Sequence, residues 1–522
     1  MSNNAVVNVV ILAAVSLFAG VIGFVPEDKP QVVSGVGQPG ASELFIEGPA
    51  GASGSGVGGS GSGSGVGGSG SGSGVGGSGS GSGVGGSGSG SGVGGSGSGS
   101  GVGSGANGSQ GGQTGGPGGS GPAEGGTGVG ECAPGRNGGS TDDGVTANRI
   151  GLASTHVTSG PGSTFLGQSQ FGMQAVRVKV NSRGGICGRI LDLKLVNDNW
   201  EAQRGLTELR NFLNDPNVFA LPVVPSSEGL NVAAPEIQKK GMPVVGSDGM
   251  LISQYKNEWI WPVATATVSQ MRIMAEYAKG KGANSFAIVY DRQYRFGAEG
   301  KTAYENYVKK MGKTFVHAEG IQPNQPGYGP QIDNLNRACG EDGCDAVAYL
   351  LDPGTANTWI QGDDKFTRRS DFRLGAQPLF TQRFGQDCGQ KCDGMLVFTG
   401  YVPPLENNAN LPGIREYVQD VKAVAPSADT TNQFLQGAYL GMSVFAEALR
   451  RTGPNLTRER LKATMNSMTY SSDLSASLQW SATQRKANQK AQAWRIKAGT
   501  GSFDGFSYTR SGSLQDPNPQ AE

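Results

Sequence analysis

The chain is short of histidine, of net charge and, before residue 132, of any cysteine. Only His156 and His317 stand among its 522 residues, which leaves little room for imidazole-based metal sites or triads. Basic and acidic residues balance at 42 each. From Glu131 onward there are 41 bases against 37 acids, too small an excess for the footprint of nucleic-acid binding. No Lys/Arg run is present that would hold an anionic membrane surface. Enzyme motifs are missing as well. Gly184-Gly185-Ile186-Cys187-Gly188 is glycine-rich, but it lacks the Lys-Ser/Thr of a phosphate loop and precedes a strand. No Gly-x-Ser-x-Gly elbow occurs. No catalytic residue, metal or cofactor is expected.

What is there falls into three parts. Residues 1–30 contain an apolar run, 5–25, broken only by Asn8 and Ser16 among polar side chains. About 20 such residues cross a bilayer as a helix. The start Met-Ser-Asn-Asn carries no base and no clean small-x-small site follows, so an uncleaved anchor is expected, with a cleaved signal peptide as the alternative. No Cys near the end of the run supports a lipid-modified anchor.

Residues 31–130 form the second part. Between Gly48 and Gly130, 43 residues are Gly and the only charge is Glu124, a composition that cannot offset the entropy of ordering. Val57, Val66, Val75, Val84, Val93 and Val102 mark a nine-residue repeat. A calcium β-roll would need an Asp in each repeat, so the stretch is expected to be a disordered linker. Its r.m.s. reach would be about 50 Å.

The third part, 131–522, holds all six cysteines: Cys132, Cys187, Cys339, Cys344, Cys388 and Cys392. An even count behind an export-type segment indicates disulfides. The close pairs suggest 339–344 and 388–392, which leaves 132–187; a four-Cys zinc site from the two close pairs is the rival. Strand-like runs at 149–154, 190–196, 218–224, 243–245, 285–290, 346–351 and 396–399 alternate with helical patterns at 164–180, 200–213, 228–240, 268–279, 298–311 and 328–339. Such alternation predicts parallel sheets with right-handed crossovers. Longer helices are expected at 433–451 and 457–468. Two such series predict an α/β fold of two doubly wound lobes, with a ligand in the cleft at the strands' carboxyl ends.

Several of these residues resemble one family. Ser159-Gly160-Pro161, the stretch Asn181-Ser182-Arg183-Gly184-Gly185-Ile186 with Gly188-Arg189, Leu193 and Asp198, the turn Tyr290-Asp291 with Phe296-Gly297 and Gly300, and Asp393-Gly394-Met395-Leu396-Val397 are similar, in order, to motifs of periplasmic solute-binding proteins of branched-chain amino-acid ABC importers. The resemblance covers about 149–504. It implies the type I fold, with a three-segment hinge expected near 264–268, 399–403 and 478–481. Lobe 1 would then span about 149–265 and 402–477, and lobe 2 about 266–400 and 478–505.

The resemblance also implies a site. Ser226 and Ser227 open a helix after a strand, where hydroxyls and free N–H groups hold an anion; an ordinary cap is the alternative. Asp248, Gly249 and Met250 follow the next strand. Phe296 and Phe165 are candidate walls. Asp352 lines the second lobe or caps a helix. Gln382 and Arg383 stand where amino-acid binders carry a carboxylate, which would favour an acidic ligand. The function expected is extracytoplasmic, membrane-anchored capture of an amino acid, amide or small carboxylate, without catalysis, by a monomeric body that serves an ABC permease. A ligand-sensing receptor domain and an adhesive surface protein are the alternatives.

Overall fold

The computed structural model describes Cys132 and residues 136–160, 162–248, 251–363, 370–498 and 506–510. The expected anchor and linker, and the candidates Gly249 and Met250, lie outside the described residues. Among the described residues no helix is long and apolar enough to cross a membrane.

The first series runs β1 (Arg149–His156), α1 (Ser163–Leu166), α2 (Ser169–Ser182), β2 (Ile190–Asn197), α3 (Ala202–Leu213), β3 (Leu221–Pro222), α4 (Ser227–Lys240), β4 (Val244–Val245), α5 (Ile252–Tyr255) and β5 (Ile260–Trp261). β1 is buried along its whole interior, as a parallel strand covered on both faces must be. β2 is the half-exposed edge beside it, paired in parallel from Arg149 opposite Ile190. A bridge from Leu152 to Ala220 joins β1 to β3, and β3, β4 and β5 follow in parallel.

The second series runs α6 (Thr267–Gly280), β6 (Ser285–Asp291), α7 (Arg295–Lys310), β7 (Thr314–Ile321), α8 (Gly329–Cys339), β8 (Ala346–Leu350), α9 (Pro353–Gly362), β9 (Phe372–Gly375), α10 (Gln382–Cys388) and β10 (Leu396–Thr399). The chain then returns to the first lobe through α11 (Pro412–Val424), α12 (Gln433–Thr452), α13 (Arg458–Met465), β11 (Thr469–Tyr470) and β12 (Leu478–Gln479). It ends in the second with β13 (Gln492–Ala498) and β14 (Phe506–Arg510). The second sheet has the order β14-β13-β10-β9-β8-β6-β7, parallel except for the last two strands of the chain.

One apolar core unites the first sheet with α2, α12 and α13. Two more cover the faces of the second sheet. Helix α12 is buried on nearly every side, and the end of β4 rests on it: a Cβ at Gly246 would lie 2.5 Å from the Cα of Gly441. Only a glycine pair allows that approach, and Gly246 also has φ +88.

Three passages connect the lobes and meet at one place. Thr265 bridges to Asn488 in parallel and donates to Lys490 O at 2.8 Å, while Asn488 Nδ2 donates to Gly400 O at 2.9 Å. The third passage thus lies near 488–491, later than the expected 478–481. Residues 478–479 pair with β11, and Trp480 belongs to the first lobe's core.

All six cysteines are bonded, Cys132 to Cys187, Cys339 to Cys344 and Cys388 to Cys392. The first bond fixes the segment ahead of β1 to the glycine turn between α2 and β2. Arg189, buried in the same turn, donates to the carbonyls of Thr146, Pro454, Asn137 and Gly139. The glycine-rich stretch is therefore a structural corner.

Candidate functional site

The carboxyl ends of the first lobe's parallel strands converge on the second lobe. After β2, Asn199 and Trp200 take left-handed backbone conformations, φ 59 and 64, uncommon for residues with a Cβ. The Trp200 N–H donates to Asp198 Oδ1 at 2.9 Å, and this turn carries the indole into the gap between the lobes. After β3, Val223 has φ 46, an outlier for a β-branched residue and a strain typical of functional corners. Pro225, Ser226, Ser227 and Glu228 follow.

Trp200 stacks on Tyr294 of the second lobe, with centroids 4.1 Å apart and planes at 26°. Phe296 lies parallel to it at 6.2 Å. Phe165 meets the edge of Trp200 at 5.2 Å and Phe434, at the start of α12, at the same distance. Between these rings and Pro225, Pro378, Ser227 and Asp248 a cavity of about 10 Å³ remains, room for roughly one water. The lobes are closed on each other's aromatic side chains.

Carboxylates cross the boundary around this cluster. Glu228 accepts the N–H of Arg295, at the start of α7, at 2.9 Å, and Glu299 of α7 accepts the N–H of Ile252, at the start of α5, also at 2.9 Å. Burial pushes the Glu228 carboxyl up to about 7, partly opposed by the N–H groups of Arg295 and Phe296. Burial also raises Asp198, opposed by the hydrogen bond from the Trp200 N–H and by the nearby Ser226 and Thr155 hydroxyls. Asp291 and Asp352 are both raised by burial, and the nearby Asp352 charge adds to the shift of Asp291.

The structure brings Ser227, Asp248, Phe165 and Phe296 together around the cavity. Ser226 is fully buried and sits at the N-cap of α4, but its hydroxyl caps nothing and lies toward Asp198, behind the loop. Asp352 is a helix cap, its Oδ1 accepting from Gly354 N at 3.0 Å and Thr355 N at 3.1 Å. Arg383 requires a correction. Thr381 caps α10 and Phe384 turns inward, so Arg383 projects outward, 72% exposed, and pairs with Asp387 at 2.7 Å. It faces solvent, and the acidic ligand inferred from it loses its support. Gln382 stays close to the boundary through its N–H, 3.4 Å from Asp429 Oδ2.

Trp200, Tyr294, Phe434 and Glu228 were not among the expected site residues. The Asn197-Asp198-Asn199 run, rich in residues that tolerate left-handed turns, was the available signal for Trp200. Phe434 reads as an ordinary apolar position of a long helix, and no local pattern marks it.

Comparison with known proteins places this geometry. The family model described as periplasmic binding protein matches residues 149–501. A Leu/Ile/Val-binding protein homologue of Brucella melitensis is 23% identical over 305 residues, 56% of this chain and 77% of the relative. Among solved structures, a fatty acid ABC transporter substrate-binding protein from Thermomonospora curvata superposes with TM-score 0.62 at 17% identity, over 73% of this chain and 95% of its own. A branched-chain amino acid ABC transporter protein from Thermus thermophilus with bound valine gives 0.61 at 14%, over 71% and 97%. A Rhodopseudomonas palustris solute-binding protein in complex with 4-hydroxybenzoate gives 0.61 at 15%, over 71% and 98%. With two closed α/β lobes, strand ends converging between them and a family match across both, the chain belongs to the periplasmic binding protein family, the solute-binding proteins of ABC transporters.

Proposed function

We propose that the chain captures a small apolar amino acid, or an amine of similar shape, between its lobes outside the cytoplasm and hands it to the permease of an ABC importer. The lining of the cavity carries this reading. Among the described residues its walls are aromatic or aliphatic from both lobes, interrupted by Ser227 and Asp248, with no basic side chain. Ser227 stands in the first turn of the 14-residue α4, whose positive end suits a carboxylate. Asp248 offers the opposite charge for an ammonium. The ligand takes the place of aromatic contacts between the lobes, so binding accompanies hinge opening and reclosure. The apolar run at 5–25 and the Gly/Ser stretch after it would anchor and tether the capture domain.

The test is a thermal-shift titration of the full chain, freed of carried-over ligand, with leucine, phenylalanine and their decarboxylated amines. A ligand at 100 times its Kd adds about 2.7 kcal/mol of stability. Asp248→Asn should weaken binding at least about tenfold, the loss expected when a charge-assisted hydrogen bond goes. Arg383→Ala should leave it within about twofold, as for surface positions. Amino-acid affinity unchanged in D248N, or no binding of any amino acid or amine, overturns the reading.

A further inference from the structure

A second pocket lies away from the cleft, where α5 of the first lobe faces α6 and α7 of the second. It measures about 530 Å³, within the roughly 300–1,000 Å³ of small-molecule sites. Ile252, Val268, Ala298 and Ala303 give it a mostly apolar wall, with Tyr255 and Tyr307 as aromatic sides. Arg272 also lines it, and Arg272 is unusual. The residue is 2% exposed, yet Nε, Nη1 and Nη2 make no hydrogen bond among the described residues. Its Cζ lies 5.8 Å from the centroid of the Tyr307 ring.

Among the described residues no carboxylate forms a hydrogen bond or close ion pair with Arg272, although the charge of Glu276 lies near enough to act on it. Glu276, one turn along α6, accepts from the Tyr307 hydroxyl. Glu299 holds Arg295 Nε at 2.9 Å and the Ile252 N–H at 2.9 Å. Other cations gather at the same place. Lys256 lines the pocket, and Lys486, from the passage back toward the second lobe, lies over the Tyr255 ring at 5.3 Å. Burial, with the charges of Arg272 and Lys256 close by, pushes the Lys486 ammonium down to about 8. A buried guanidinium with unused donors is costly, and Arg272, Lys256 and Lys486 repel one another, offset in part by Glu276, while Arg295 and Glu299 on the same wall pair with each other. Both costs fall when an anion enters.

We infer that this flank pocket is a second binding site, for a carboxylate carried on an apolar body, with the carboxylate on Arg272 and the body against Ile252, Val268 and Ala303. A guanidinium takes a carboxylate through two parallel N–H bonds, and the apolar wall accounts for the remainder of the ligand. The occupant touches both lobes beside the Glu299–Ile252 contact. It therefore favours the closed arrangement and couples to binding in the cleft.

Calorimetric titration of the full chain with octanoate, octanol and inorganic phosphate tests this. Octanoate should bind at one site, while octanol and phosphate should bind far more weakly. Arg272→Met should weaken octanoate at least about tenfold, the loss of a charged hydrogen-bond pair, without lowering Tm, since it removes a buried charge with no ion-pair partner. Ala303→Leu, which keeps the guanidinium and fills the pocket, should weaken it as well and serves if R272M does not fold. Asp248→Asn should leave octanoate binding unchanged. Wild-type affinity in R272M or A303L, equal loss in D248N, octanol binding as tightly as octanoate, or no octanoate binding by the wild-type chain overturns the inference.

Discussion

Glu228 and Arg295 join the two lobes without using a side-chain charge pair: the carboxylate of the first accepts the backbone N–H of the second at 2.9 Å. A side chain from one lobe thus caps a helix of the other. Glu299 returns the arrangement by capping α5. Such contacts exist only while the lobes are together.

Burial of the Glu228 carboxyl makes closure pH-dependent. The carboxyl lies at about 7 in the closed form, against an ordinary value of 4.5 expected once the lobes part or the chain unfolds. Between those values the closed form holds a proton that the open form has released. The stabilisation is therefore complete below about 4.5 and is lost as pH rises through about 7. Glu228→Gln, which keeps an acceptor for the N–H, should flatten Tm between pH 5 and 8 and raise it at pH 8. The effect at pH 8 should be on the order of 1–3 kcal/mol. A wild-type Tm profile that rises with pH and is unaffected by E228Q would count against it.

Trp200 should matter both to closure and to the ligand. Trp200→Ala removes the stack on Tyr294 and leaves a hole between the lobes, a change of the kind that costs roughly 3–5 kcal/mol in a packed core. Trp200→Phe keeps an aromatic face and should recover most of that loss. Urea denaturation and small-angle scattering on both variants check this, with W200A expected to be less stable and more open. Equal behaviour of the two variants would show that the stack contributes little.

The three disulfides should contribute unequally. Cys132 and Cys187 close a loop of 55 residues, against separations of 5 and 4 for the other pairs. On loop-closure entropy the first is worth about 4 kcal/mol and each local bond about 2 kcal/mol. Urea denaturation of the paired Cys→Ser variants should reproduce that order. The long-range variant should also free the segment around Asn137, measurable as faster amide exchange there.

Much of the α/β order was legible because strands such as Ala346–Leu350 are continuously apolar and helices such as Ala202–Leu213 bury one stripe. β7, Thr314–Ile321, was not, because it is a half-exposed edge strand carrying His317 and Glu319. Ser227, Asp248, Phe165 and Phe296 could be proposed because the family resemblance maps them to loops beyond strand ends, where such folds place their sites. Trp200 was read as the start of a helix, yet that helix begins at Ala202 and the tryptophan belongs to a left-handed corner. Arg383 failed for a different reason. The resemblance set it where amino-acid binders carry a carboxylate, but nothing in the sequence marked the helix α10 or which of its faces turns inward, and that is decided by Phe384.

The meeting point of the three passages has a mechanical consequence. A Cβ at Gly400 would lie 2.2 Å from Thr265 Oγ1 and 3.1 Å from Asn488 Nδ2, so the three passages are cinched at one level with no slack between them. Should the lobes part, a joint tied at a single level would resist sliding and twisting more than bending. The gap would then open like a book, and the width at its mouth would set how long a solute stays.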